Sequence, residues 1–332
     1  MDWSHFVPLM ILATLAGGGP PSPLVHTYSI VARDSATGEM GVAVQSHYFS
    51  VGPVVPWAEA GVGAIATQSL VLVDYGPNGL DLMRQGLTAR QALDSLVRAD
   101  PHNEGRQVAM VDARGGIAAY TGPKCIPAAG HHTGAQYSVQ ANLMENDRVW
   151  PAMAEAYEKA EGDLAERMLQ ALEAAEKAGG DIRGRQSAAI LIVKARSSGK
   201  PWADRVMDLR VEDHPDPLKE LRRLVKLRRA YEFEDRGDTF IAEKKPEEAM
   251  KAYEEAMRLA PENQELRFWA AVSMYTNGRE AEALKLFRSV FAREKRWVEL
   301  IPRLAGVGLF PDDPKKIDEV RRQRPRSRLE RD

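Results

Sequence analysis

A chain of 332 residues, at roughly 150 residues per domain, has room for two domains that each bury a core. Apolar residues make up 44% of it and charged residues 28%, a globular composition that excludes wholesale disorder and fibrous repeats. With 45 basic against 47 acidic residues the net charge is -2, so no global field recruits nucleic acid or an anionic membrane, and the single Cys125 excludes an internal disulfide or a multi-cysteine metal site.

Phe6 to Ala16 is an apolar run too short to span a bilayer, and small residues Ala16, Gly17 and Gly18 follow it in a cleavage-like pattern. Asp2 stands where a basic flank is usual. The segment reads as a secretory signal, which predicts an exported protein, periplasmic or extracellular, with no transmembrane span. Residues 1–25 therefore form a leader ending in a Gly/Pro linker, and the folded chain is expected from about His26.

Period-2 runs then predict strands over Tyr28 to Ala32, Gly41 to Ser46 and Val62 to Gln68, the first two joined by a loop at Asp34 to Gly38. Helices are expected over Gly79 to Arg84 and Ala89 to Ala99. A hairpin follows, Val108 to Asp112 and Ile117 to Tyr120, and then a strand at Tyr137 to Ala141. Two helices, Val149 to Lys159 and Leu164 to Ala178, come next, the second capped by Asp163 and ended by Gly179-Gly180. Ser187 to Val193 and Met207 to Val211 are the last strands. Strands, paired helices and strands again predict an α+β layered sandwich over 26–217.

Beyond Asp216-Pro217 the pattern is helical. Ala249, Tyr253 and Ala256 recur at a spacing of 34 residues as Ala283, Phe287 and Val290, while Gly237 maps to Ala271 and Phe240 to Met274. That period and small/large alternation is the tetratricopeptide pattern, with Pro261 at a repeat end. An all-α repeat module is expected over 218–310. Leu218 to Arg229 and the stretch after Arg293 cap it, and a basic flexible tail occupies 311–332. Such a module predicts a protein partner or self-association.

The common cofactor routes are missing. There is no phosphate loop, no His-Glu-x-x-His and no G-x-S-x-G elbow, so neither a cofactor nor a metal is expected. His131-His132 reads as a surface loop, Cys125 as a buried structural thiol and His214 as a turn group. Thr27 remains, at the start of the first strand where the leader ends. If it became the first residue of a mature chain, its own α-amine, with an ordinary pKa of about 7.7 to 8.0, would take the hydroxyl proton.

Thr27-Tyr-Ser-Ile-Val-Ala-Arg-Asp34, Gly41-Val-Ala-Val-Gln-Ser46, Val55-Pro-Trp-Ala58, Tyr75-Gly76, Tyr137-Ser-Val-Gln-Ala-Asn142, Gly180-Asp-Ile-Arg-Gly-Arg-Gln-Ser-Ala188 and Leu209-Arg-Val-Glu-Asp-His-Pro215 together resemble the domain-of-unknown-function family 1028, over about residues 26 to 230. That family is placed in the N-terminal nucleophile (Ntn) hydrolase superfamily, whose members stack two β-sheets between helical layers and cleave amide bonds. The resemblance implies a four-layer αββα Ntn-hydrolase-like sandwich, Thr27 at the nucleophile position, and a small amide or peptide-like substrate. Analogy with that fold also predicts a homo-oligomer.

Chemistry suggests the remaining roles. Asn142 is a candidate oxyanion donor through side chain or backbone. Ser46 and Gln68 are candidates to hold the amine or substrate. Arg183 is a candidate clamp for a substrate carboxylate, Asp181 for orienting the amine, and Gln186 and Ser187 share their turn. The alternative for this turn is a cluster that caps a helix and pairs internally. Val31 to Thr67 contains no lysine to sit by the nucleophile, which leaves His47 or Arg33 as the basic stand-in. The competing reading of the whole chain is a catalytically silent Ntn-fold binding or scaffold protein of the cell envelope.

Overall fold

The structure is a computed structural model that describes residues 24–325. The expected signal segment therefore lies outside the described residues, apart from its last two positions. Those two, Leu24–Val25, form a short strand β1. Strands β2 (Thr27–Arg33) and β3 (Met40–Ser46) follow, then β4 (Pro56–Glu59) and β5 (Gly63–Leu70). Helices α1 (Tyr75–Arg84) and α2 (Ala89–Ala99) lead into β6 (Arg106–Asp112), β7 (Ile117–Thr121), β8 (Gly130–Gly134) and β9 (Tyr137–Ala141). Helices α3 (Val149–Lys159) and α4 (Leu164–Lys177) precede β10 (Ser187–Val193) and β11 (Arg205–Val211).

The strands form two antiparallel sheets. One runs β1-β5-β6-β7, with β4 also paired to β5, and the other runs β11-β10-β3-β2-β9-β8. Alternation along β2 assigns its two faces. Tyr28, Ile30 and Ala32 join the cluster formed with α3 and α4, whereas Val31 joins the cluster between the sheets, with Val42, Val44, Ala64 and Ala66. The outer face of the first sheet packs α1 and α2 through Ile65, Leu80, Leu93 and Met110. Both sheets are thus covered on both faces, giving the four-layer αββα order that the resemblance implied.

Local chemistry sets the helix ends. Thr88 and Gln91 make a reciprocal capping box at α2, and the Asp163 carboxylate accepts from Glu166 N at 2.8 Å, as expected for α4. Helix α1 starts one turn earlier than its periodicity suggested. Pro77 needs no donor in a first turn, and Gly76 lies against the Trp57 ring so closely that a Cβ would overlap it.

The helical module opens with α5 (Pro217–Ala242), a single helix of 26 residues. The sequence suggested a separate capping helix ending at Arg229, but no Gly or Pro interrupts the segment there and the helix runs on. Its first half buries Leu218, Leu221 and Val225 on the sandwich, while Phe240 and Ile241 pack on the repeat core. Arg222 fastens it to α4, with Nε 2.6 Å from Glu173 and Nη1 2.9 Å from Glu166. The hairpins α6 (Pro246–Leu259) with α5, and α7 (Gln264–Thr276) with α8 (Glu280–Arg293), are the two repeats. Gly237 lies directly under the Tyr253 ring, and Ala249, Ala271, Met274, Ala283, Phe287 and Val290 fill the shared core. The stretch expected to be a flexible tail is helical over Pro314–Arg321, here α10 after the short α9 (Leu300–Gly306), with Val320 buried against the last repeat. Residues 326–332 lie outside the described residues. Among the described residues no helix is long and apolar enough to cross a membrane.

Candidate active site

The space between the sheets is apolar at one end and polar at the other. On β2 the inward positions run from Val31 through Ser29 to Thr27. On β3 they run from Val42 and Val44 to Ser46, and on β5 from Ala64 and Ala66 to Gln68. The polar end is fully buried and hydrogen-bonded. Ser29 Oγ donates to Gln68 Oε1 at 2.6 Å, Gln140 Nε2 donates to Ser29 Oγ at 2.6 Å, and Gln68 Nε2 donates to Gln107 Oε1 at 2.7 Å. Asn142 Nδ2 donates to the same Gln107 oxygen at 2.8 Å, and Gln107 Nε2 to the Ala141 carbonyl at 2.9 Å. Buried amides carry their desolvation only when paired this fully.

Thr27 sits at the head of this network, with no exposed surface. Its hydroxyl lies 3.0 Å from the Val25 carbonyl and 3.1 Å from Ser46 Oγ, and it can donate to either. Its own carbonyl accepts from Asn142 N and Gln68 Nε2, both at 3.1 Å. The preceding carbonyl, that of His26, accepts from two side chains at once: Ser46 Oγ at 2.6 Å and Arg183 Nη2 at 2.8 Å. A peptide carbonyl flanked by a hydroxyl and a guanidinium is polarised in the sense that nucleophilic attack requires.

His26 is also buried. Asn142 Oδ1 is an acceptor, so His26 Nδ1 carries the proton in their 2.7 Å bond, and Nε2 is left without a partner. Burial pulls the imidazole below its usual pKa, against the Asn142 hydrogen bond, and nearby Arg183 pulls the same way as burial.

Several expected roles change. Asn142 does not face the His26 carbonyl; its donors serve Gln107 and the Thr27 carbonyl, because its backbone is fixed where β9 leaves the sheet. Gln68 holds the Thr27 carbonyl rather than an amine. Asp181 pairs with Arg183 through both oxygens, at 2.7 and 3.0 Å, and accepts from His47 N at 3.3 Å, so it orients the guanidinium. The turn therefore does pair internally, as the alternative held, and it also reaches the His26 carbonyl. Arg183, expected as a substrate clamp, instead places its guanidinium on the His26 carbonyl, next to Thr27. Arg33 cannot, since it lies at the far end of β2 on the Ala113 carbonyl and Gln136.

Gln186 and Ser187 do not join the cluster. Gln186 Nε2 donates to Asp213 at the surface, and Ser187 Oγ donates to the Tyr48 carbonyl at 2.5 Å while accepting from Val51 N, pinning the loop after β3. Elsewhere, the Cys125 thiol is buried, donates to the Arg106 carbonyl at 3.3 Å, and is pushed up in pKa by that burial. His214 accepts from Asp216 N as a turn group. His131 meets Thr121 on the β8 edge. Among the described residues no three His, Cys, Asp or Glu converge as a metal site would need.

Sequence reasoning missed Ser29, Gln107, Gln140 and His26. The available signal was the recurrence of Gln and Ser at inward positions of otherwise apolar strands, as in Arg106-Gln107-Val108.

The fold and this polar cluster define an αββα sandwich domain joined to tetratricopeptide repeats. Residues 27–221 match the model of a family of unknown function, DUF1028, and the chain belongs to that family. Residues 240–299 match a tetratricopeptide repeat model. A crystal structure of a Silicibacter pomeroyi protein, described with the same family model, is 30% identical, with a TM-score of 0.55 over 60% of this chain and 88% of that one. An ancestral β-subunit from Yersinia bercovieri aligns at 13% identity and a TM-score of 0.30, over 59% of this chain and 91% of its own. No curated protein matches the chain.

Proposed function

We propose that the protein is an amide hydrolase of the N-terminal nucleophile type, in which the bond between His26 and Thr27 is cut and Thr27 becomes the reacting residue. The observation that carries this reading is the hydrogen-bonded ring of Thr27 Oγ1, Ser46 Oγ and the His26 carbonyl, with Arg183 on the same oxygen. Thr27 Oγ1 adds to the His26 carbonyl carbon. Its proton passes to Ser46 Oγ as the Ser46 proton passes to the carbonyl oxygen. Collapse re-forms the carbonyl and breaks the C–N bond, and the nitrogen takes the proton that the hydroxyl oxygen gives up, becoming the free amine. Water then hydrolyses the resulting ester, leaving a carboxylate on His26 and both the hydroxyl and the α-amine of Thr27.

The freed amine supplies the general base for the same chemistry on a second amide, of a small or peptide-like substrate. Export through the amino-terminal segment, self-association, and a protein partner for the repeat helices are part of this proposal. Thr27→Ala tests it: the variant should stay joined at His26 and hydrolyse no amide, whereas Thr27→Ser should be cut at that bond and hydrolyse amides. Normal hydrolysis by Thr27→Ala removes Thr27 as nucleophile.

A second reading has its own observation. Thr27 has no exposed surface, which leaves a substrate no path to it while the leader is in place. If the leader stays attached, the sandwich is a platform for the repeats and the protein is a binding scaffold.

A further inference from the structure

The three residues ahead of Thr27 are seated as a ligand would be. Leu24 and Val25 add an antiparallel strand to the end of β5, in register with Leu70 and Ser69. The side chains then alternate in environment. Leu24 is 54% exposed, Val25 is fully buried in the inter-sheet cluster that holds Val44, Val71 and Ala66, and His26 is buried on Asn142. The carbonyl that follows lies on Ser46 and Arg183. A β-strand added to a sheet edge takes its affinity from main-chain hydrogen bonds and its selectivity from alternate side-chain pockets.

We infer that the groove occupied by Leu24, Val25 and His26 is the acyl-side subsite of the mature protein, and that it takes extended peptides with an apolar aliphatic residue followed by an uncharged residue with a single donor. This rests on the reading of Thr27 as nucleophile and names the substrate class for it. The chain's own leader is the first occupant. Its departure vacates the strand position on Ser69–Leu70, the Val25 pocket and the donor-accepting oxygen of Asn142, while the Ser46 and Arg183 donors stay in place for the next carbonyl. The outermost position, where Leu24 faces solvent, imposes no selection. The penultimate position disfavours charge, because Val25 is fully buried in the apolar cluster between the sheets. The last position suits an uncharged side chain with one donor, because Asn142 Oδ1 accepts from His26 Nδ1 at 2.7 Å.

The test uses the full chain after maturation, with its first residue established by intact mass. The probe is acetyl-Leu-Val-His-aminomethylcoumarin, beside the same peptide N-methylated at Leu and Val, and versions with Asp for Val or Lys for Leu. Expected are a loss in kcat/KM of about tenfold or more on N-methylation, a similar loss with Asp for Val, and a change under about threefold with Lys for Leu. A chain cut at Thr27 that releases coumarin equally from all four peptides, or from none, overturns the inference while the cut stands. A chain that remains joined at His26–Thr27 overturns the reading of Thr27 and this inference with it.

Discussion

Ser46→Ala separates chemistry from folding in this site. The Ser46 hydroxyl makes two bonds, donating to the His26 carbonyl at 2.6 Å and accepting from Thr27 Oγ1 at 3.1 Å. Removing it strands neither partner. The His26 oxygen keeps Arg183 Nη2, and the Thr27 hydroxyl keeps the Val25 carbonyl at 3.0 Å. Losing two net hydrogen bonds without leaving an orphan costs about 1 to 2 kcal/mol, which a domain of this size tolerates. The reaction loses more. One of two donors on the developing oxyanion is gone, a change worth about 10²- to 10³-fold, and the path that takes the proton from Thr27 goes with it. The assay refolds chain recovered uncut under denaturing conditions and follows the fraction cut by intact mass. A cut rate within about threefold of the parent, in a variant shown folded by far-ultraviolet circular dichroism, refutes the role assigned to Ser46.

Other predictions follow from the same contacts. Gln68→Leu removes the acceptor of the buried Ser29 hydroxyl and one of two donors to Gln107, so the sandwich should lose about 2 kcal/mol, read as a lower urea midpoint with unchanged slope. Because His26 has a lowered pKa when folded, the unfolded chain binds the proton more readily. The stability of uncut protein should therefore fall as pH drops below about 6.5, and His26→Gln, measured by thermal melting in the Thr27→Ala background, should remove that part of the slope. In the repeats, burial and then Asp238, Asp235 and Glu265 push Glu234 up to about 7. Its charged form is disfavoured in the fold, so stability is lost as pH rises from the ordinary carboxylate range through 7. Glu234→Gln should raise the module's stability at pH 8 by about 1 kcal/mol, after allowance for solvent screening. Arg222→Met should loosen α5 from α4, splitting a single melting transition into two or lowering the first of them.

Much of the fold was readable because the strands are covered on both faces and the repeats carry a fixed period. Runs such as Ser187–Val193 and the spacing from Ala249 to Ala283 leave few alternatives. Strands with little apolar signal were not readable. β8 is Gly-His-His-Thr-Gly on a sheet edge, β4 starts with Pro56, and β1 spans two residues held by the end of β5. In the site, Thr27, Ser46, Gln68 and Asn142 stood out because each ends or starts a strand. Their partners were set by tertiary register instead. Only the pairing of Thr27 with Ser46 across β2 and β3 brings a hydroxyl to the His26 carbonyl, and only the loop after α4 brings Arg183 to it. Gln186 ends the same loop and Ser187 opens β10, and their side chains serve the surface and the chain after β3.

The proposed chemistry requires that Thr27 acquire a free amine. Intact mass with amino-terminal sequencing of protein purified from an export-competent host measures this directly. Expected are a chain that begins at position 27 in the parent and in Thr27→Ser, and a chain still joined through His26 in Thr27→Ala. A parent protein that keeps Leu24, Val25 and His26 attached, folded and stable over the same period, contradicts it.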